Sequence, residues 1–169
     1  MIQKLRVPLG FVVAGAVFYL ASPTRLSIAI GLPIAIAGAA VRALAAGVIK
    51  KDSRLATSGP YAWTRNPLYL GSSLLALAFA VMSWNAITAA LLLVPSCVIY
   101  PNVIRKEESH LERLFGNEFR NYRQRVPCFL PRFRPSKLSF SLAQYISNAE
   151  YNTALGLIAA FAVFAFKAT

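Results

Sequence analysis

Tyr100-Pro101-Asn102-Val103-Ile104-Arg105-Lys106-Glu107-Glu108-Ser109-His110-Leu111 carries the chain from an apolar run into a basic one, with two adjacent carboxylates at the change. Acids are scarce in this protein, six Asp or Glu facing eighteen Lys or Arg. At about 100° per residue, Glu107 falls in the middle of an apolar stripe with Tyr100, Val103, Ile104, Leu111 and Leu114. A carboxylate there is costly unless something pairs with it. The stretch therefore predicts a helix leaving a membrane with Glu107 turned into the bundle. Glu108 falls at the stripe's edge, where Arg105 or Arg42 is its expected partner, and Glu112 projects away.

The rest of the composition agrees with a membrane protein. The chain has 169 residues, one domain by length, and its 57% hydrophobic content exceeds what soluble domains usually carry. Cys97 and Cys128 supply no disulfide framework, and with His110 as the only histidine no His/Cys metal set is expected. The net charge of +12 does not point to nucleic acid, because the cations flank apolar runs instead of forming a soluble face.

Apolar runs over 7–21, 26–49, 68–82, 84–104 and 151–166 predict an all-α, polytopic bundle of about five transmembrane helices. The first run is short enough for a signal peptide, but without a clean cleavage site it reads as a span. The third and fourth, divided only by Ser83-Trp84-Asn85, predict a tight helical hairpin. With that count, the amino terminus and the segments 50–65 and 105–137 share one side and hold fifteen of the eighteen cations. By the positive-inside rule that side, active site included, is the cytoplasm. Residues 105–125 read as an amphipathic interfacial helix, with Gly116-Asn117 as a break. Gly31, Ala35, Gly38 and Ala39 offer small residues for close helix packing.

Between the second and third runs, Leu55-Ala56-Thr57-Ser58-Gly59-Pro60-Tyr61-Ala62-Trp63-Thr64-Arg65-Asn66-Pro67-Leu68-Tyr69 concentrates aromatic and hydrogen-bonding groups in one loop. One reading is an interfacial aromatic belt in which Arg65 meets lipid phosphate. The other rests on Asn66-Pro67, since a proline-started helix leaves free N–H groups beside the loop for a ligand's carboxylate or hydroxyls. Glu107 returns to the same depth. Arg42, about two turns inside the second run, either snorkels to the interface or faces the bundle and neutralises Glu107 or Glu108. His110 reads as an ordinary surface residue.

Gly59-Pro60-Tyr61-Ala62-Trp63-Thr64-Arg65-Asn66-Pro67-Leu68-Tyr69-Leu70-Gly71 resembles the signature of the isoprenylcysteine carboxyl methyltransferase and phospholipid methyltransferase superfamily. Glu107-Glu108, Leu111, Phe115-Gly116, Phe119, Tyr122 and Val126-Pro127 through Pro131 follow its carboxyl-terminal pattern. The two blocks cover about 38–131 of a single domain over 1–169, with an extra helix at about 151–167. The resemblance implies S-adenosyl-L-methionine as cofactor and a lipid-borne or amphipathic methyl acceptor, a carboxylate, amine or thiol. It places cofactor contacts on Ser53, Arg54, Leu55, Ala56, Tyr61, Asn66, Pro67, Leu68, Tyr69 and Glu107, with Glu108, Arg65 and Arg42 as catalytic candidates and no metal. Two departures narrow it. Asn66 stands where many eukaryotic members have histidine, so no titrating imidazole belongs to this site. Val103 stands where prenylcysteine enzymes carry an arginine, which disfavours that acceptor. A nicotinamide-dependent membrane reductase and a non-enzymatic lipid-binding scaffold are the competing readings.

Overall fold

The computed structural model describes residues 13–50 and 53–168. The first part of the first apolar run, 7–12, and the amino-terminal cations Lys4 and Arg6 lie outside them. Every regular element among the described residues is helical: α1 (13–20), α2 (Arg25–Val48), a 3₁₀ turn (Gly59–Ala62), α3 (Pro67–Ser83), α4 (Ala86–Arg125), α5 (Leu142–Ser147) and α6 (Tyr151–Lys167).

Local chemistry sets most boundaries. Thr24 and Ser27 form a reciprocal capping box that starts α2. Pro67 occupies the first turn of α3, where a missing N–H costs nothing. Trp84 adopts the left-handed conformation that ends α3, and the Asn85 side chain accepts from the Thr88 amide to start α4, making the expected tight hairpin. Asn148 Nδ2 donates to the carbonyls of Ala46 (2.8 Å) and Ile49 (3.1 Å), so the α5–α6 corner caps the end of α2.

The helix α3 lies between α2 and α4. At the α2–α3 crossing, a Cβ added to Gly38 would sit 2.9 Å from the Gly71 carbonyl, and one on Gly71 would sit 2.8 Å from the Gly38 carbonyl. Only glycines allow that approach, and Gly31 meets α3 similarly near Ala78 and Met82. Near the hairpin end, Val17, Ala21, Met82 and Phe164 form one core, with Phe164 edge-on to Phe18 and Phe79. At the opposite, loop end, Leu55, Phe119, Tyr122 and Val126 form a second.

The expected interfacial helix at 105–125 is not a separate element. It continues α4, which runs 40 residues and kinks at Gly116 (φ 50°, ψ −120°), a conformation few other residues accept. A straight helix of that length would reach about 60 Å, twice a bilayer's hydrocarbon thickness, so its charged half projects beyond the apolar half.

Two described helices, α2 and α4, are long and apolar enough to cross a membrane, whereas α3 and α6 are apolar but 17 residues each. Their surfaces favour lipid over water. Only 17% of the apolar stretch of α2 and 11% of that of α4 are buried, where a soluble protein's core helix would be mostly covered. Leu26, Ile30 and Ile36 on α2, with Ile87, Val94 and Val98 on α4, form an apolar sheath.

Candidate functional site

A cavity of about 490 Å³ opens at the loop end, between the last turns of α2, the loop 54–69 and the 107–122 turns of α4. The kink at Gly116 makes it possible by folding the end of α4 back over the loop, where Phe119 and Tyr122 pack on Leu55. Tyr122 Oη then donates to the Tyr61 carbonyl at 2.7 Å and locks that turn.

Two polar features belong to residues that line this space. Tyr69 Oη donates to Glu107 Oε1 at 2.7 Å, with the Tyr69 ring 5.0 Å from that of Tyr100. Tyr61 is buried against Ala45 and Val48, yet its hydroxyl has no hydrogen-bond partner among the described residues. Burial chiefly, then Tyr122 and the Glu107 and Glu150 carboxylates, pushes the Tyr61 phenol far up from its ordinary value. It is therefore a proton donor at any physiological pH. A buried hydroxyl without a partner among the described residues, on a residue that lines a cavity, is a candidate donor to a ligand acceptor atom.

The structure reverses the relative burial expected of the two carboxylates. Glu107 is exposed at the cavity mouth, and Glu108 is the more buried. The stripe that α4 turns inward is Ile104, Glu108, Leu111 and Phe115, while Leu114 is 48% exposed. Glu108 pairs with neither Arg105 nor Arg42. Its Oε1 receives Nε and Nη2 of Arg65, each at 2.8 Å, and the two side chains are 10% and 13% exposed. Nη1 of Arg65 also donates to the carbonyls of Arg123 (2.8 Å) and Val126 (2.9 Å). Every nitrogen of Arg65 is engaged inside the protein, so it is not a lipid-phosphate contact.

Arg42 does face the bundle, but its partner is an acid that the sequence reading left out. Nε and Nη2 bind Oε1 and Oε2 of Glu150 at 2.7 and 2.9 Å, Nη2 reaches Thr153 Oγ1 at 3.1 Å, and Nη1 binds Ser72. Glu150 precedes α6, so this pair ties the carboxyl-terminal helix to the cavity wall. Glu112 lies away from the cavity, as expected, and pairs with Arg120 at 2.7 Å.

Asn66 does not cap α3. Its Nδ2 donates to the Cys128 carbonyl at 2.9 Å, beside a bond from Thr64 Oγ1 to the same oxygen at 3.1 Å. Burial, followed by Glu108, pushes the Cys128 thiol up from its usual range.

Of the residues expected at the site, Arg54, Leu55, Ala56 and Tyr61 line the cavity from the loop, and Arg65, Asn66, Leu68 and Tyr69 from its far end. Arg42, Glu107 and Glu108 complete that set. Ser53 is exposed and bonds the Lys50 carbonyl, and Pro67 is buried behind the wall; neither lines the cavity. His110, read as an ordinary surface residue, borders the cavity, as do Phe115, Phe119 and Tyr122. For Phe119 and Tyr122 the signal was the aromatic spacing beyond Gly116, which shows its meaning only once the kink is known.

The family model described as phospholipid methyltransferase matches residues 11–118, more than half of the chain. The cobalt-zinc-cadmium resistance protein of Cupriavidus metallidurans is 33% identical over 105 residues, covering 62% of this chain and 48% of that one. Protein-S-isoprenylcysteine O-methyltransferase of Schizosaccharomyces pombe is 30% identical over 95 residues, 56% of this chain and 40% of that one. The human protein of that name is 33% identical over 90, 53% and 32%. The chain thus spans about half or less of the length of these relatives. No solved structure matches. The matched region holds the cavity's loop wall, Tyr69, Glu107 and Glu108 together, and on that match the chain belongs to the phospholipid methyltransferase family.

Proposed function

We propose that the protein is a membrane methyltransferase that crosses the bilayer several times and moves a methyl group from S-adenosyl-L-methionine to a lipid-borne or amphipathic acceptor at the cytoplasmic interface. The supporting observation is that the family match falls on a cavity lined by Glu107, held by Tyr69, and by Tyr61, whose hydroxyl has no partner among the described residues. The cavity's size lies within the usual range for small-molecule sites.

The donor set suits this cofactor. Glu107 offers a carboxylate to an ammonium group or to ribose hydroxyls, and Tyr61 a donor to an acceptor atom. The rings of Tyr61, Tyr69 and Phe115 suit a cationic or flat group. When bound, the cofactor supplies an electrophilic methyl group on a sulfonium. The chain's own work is to align and to exclude water: Arg65 and Glu108 fix the loop, and the folded-back Phe119 and Tyr122 cover it. Leu55, Leu111 and Phe115 offer an apolar wall to the acceptor's hydrocarbon part.

Relatives named for isoprenylcysteine O-methylation make a carboxylate acceptor one option, but Val103 supplies no cation from α4 and disfavours the prenylcysteine itself. A nicotinamide dinucleotide fits less well. Of the cations that line the cavity, Arg42 and Arg65 are already committed to carboxylates, which leaves Lys50 and Arg54 to answer its phosphates beside Glu107 and Glu108.

Calorimetric titration of the folded, detergent-solubilised protein with S-adenosylmethionine, S-adenosylhomocysteine and NADPH tests this reading. Binding of the first two and not the third is expected, and failure of both to bind overturns it. A labelled-methyl screen on membrane extracts then identifies the acceptor.

A further inference from the structure

From residue 119 to 149 the chain has no acidic residue, yet it holds Arg120, Arg123, Arg125, Arg132, Arg134 and Lys137. Within this stretch, residues 131–141 contain no helix or strand, although the segment is firmly held. The Arg132 amide donates to the Trp63 carbonyl (2.9 Å), and Trp63 Nε1 donates to the Arg134 carbonyl (2.9 Å). The Gly59 amide donates to Ser136 Oγ (3.0 Å), Ser58 and Ser139 hydroxyls meet at 2.8 Å, and the Ser141 amide donates to the Gly47 carbonyl (2.9 Å). One edge of this strap is thereby taken up by the loop that forms the cavity wall.

The other edge has an unusual mixture. Leu130 and Phe133 are 78% and 76% exposed, and Arg132, Arg134 and Lys137 are exposed between and after them. Leu138, Leu142 and Ile146 continue the apolar surface onto α5. Water leaves the apolar side chains uncovered, and a nucleic acid would answer the cations alone. The interface of an anionic bilayer answers both, with phosphates for the cations and the acyl boundary for Leu130 and Phe133. Position agrees with chemistry. The strap joins α2 at Gly47, where Phe140 packs, at the end of a helix long and apolar enough to cross a membrane.

We propose that residues 130–142 form an interfacial strap that docks on anionic lipid, and that docking steadies the Ser58–Asn66 loop at the cavity. The proposal rests on the chain's lying in a membrane and not on what the cavity binds. Its partner is the bilayer surface itself.

The full chain in nanodiscs of phosphatidylcholine, with or without phosphatidylglycerol, provides the test. Hydrogen exchange at amides of 132–141 and 59–66 is expected to slow tenfold or more with phosphatidylglycerol, with 86–99 unchanged as a control. The R132Q/R134Q/K137Q variant is expected to lose that difference while folding normally. In Trp84→Phe protein, Trp63 is the only tryptophan left, and it packs 5.4 Å from Phe133. Brominated phosphatidylglycerol should quench it more than brominated phosphatidylcholine at equal bromine content. Equal exchange in both lipids, equal quenching by both, or a lipid effect that survives the triple substitution would overturn the proposal. None of these readouts involves a methyl donor, so they stand or fall apart from the methyltransferase reading.

Discussion

Arg65 and Glu108 meet twice, Nε and Nη2 of the guanidinium each 2.8 Å from the same carboxylate oxygen, while the third nitrogen holds the Arg123 and Val126 carbonyls. One side chain thus joins the loop before α3, the middle of α4 and the turn after its end. Because the pair is nearly buried, removing one partner leaves an uncompensated charge, a loss on the order of 3 to 5 kcal/mol. Arg65→Ala should lower the thermal midpoint in detergent by many degrees. Arg65→Lys should recover only part of it, since an ammonium cannot reproduce the planar fork. Full recovery by lysine would show that charge alone matters there.

Glu107 differs by being exposed, and it accepts a hydrogen bond from the Tyr69 hydroxyl. Glu107→Gln and Tyr69→Phe should leave the thermal midpoint within a degree or two and weaken S-adenosylmethionine binding about tenfold, the size of one charge-assisted hydrogen bond. Glu112→Gln, altering an acid that faces Arg120 outside the cavity, should leave binding unchanged. Equal losses from all three would show that the cavity is misplaced.

Tyr61→Phe separates stability from binding in a different way. Deleting a buried hydroxyl that has no partner among the described residues removes a desolvation cost of about 1 to 3 kcal/mol, so the unliganded variant should be as stable as the wild type or more so. Its affinity for the ligand should fall. A drop in the unliganded thermal midpoint would mean that the hydroxyl has a partner within the protein.

Arg42 and Glu150 lie 108 positions apart and form a bidentate pair, with Ser72 and Thr153 on the same guanidinium. Either Arg42→Met or Glu150→Leu alone should destabilise by on the order of 3 kcal/mol, and the double substitution should recover most of that. Additive losses, measured by thermal unfolding of all four forms, would contradict the pairing.

The raised pKa of Cys128 keeps its thiol protonated through neutral pH. In Cys97→Ser protein, alkylation of Cys128 by iodoacetamide should be slow at pH 7.5. Its rate should still be climbing above pH about 8.5, the free-cysteine value. A plateau below that pH would show that Arg65, which lowers the thiol's pKa, outweighs burial and Glu108.

Much of the helical layout was legible from periodicity and punctuation. The runs at 26–49 and 68–82 correspond to α2 and α3 within a residue or two, Ser83-Trp84-Asn85 is the hairpin, and Gly116 is the break. Two things were not. Adjacent residues on a helix differ by about 100°, so a wide apolar stripe accommodates either Glu107 or Glu108, and α4 packs with Glu108 inward. Arg42 was open to either snorkelling or facing the bundle, and nothing local to α2 identified Glu150 as its partner.

By itself the sequence determined the apolar helices, their breaks, and the loop and acid pair that come to line the cavity, because length, apolar content and turn chemistry act over a few residues. The tertiary structure alone decided which carboxylate is buried, which arginine each acid holds, and that a carboxyl-terminal strap and helix brace the loop and Arg42 that line the cavity. Those choices depend on the kink at Gly116 and on the Gly38–Gly71 crossing, which bring together groups tens to a hundred residues apart. Pairing in a low-dielectric interior is set by that proximity and not by the spacing of residues along the chain.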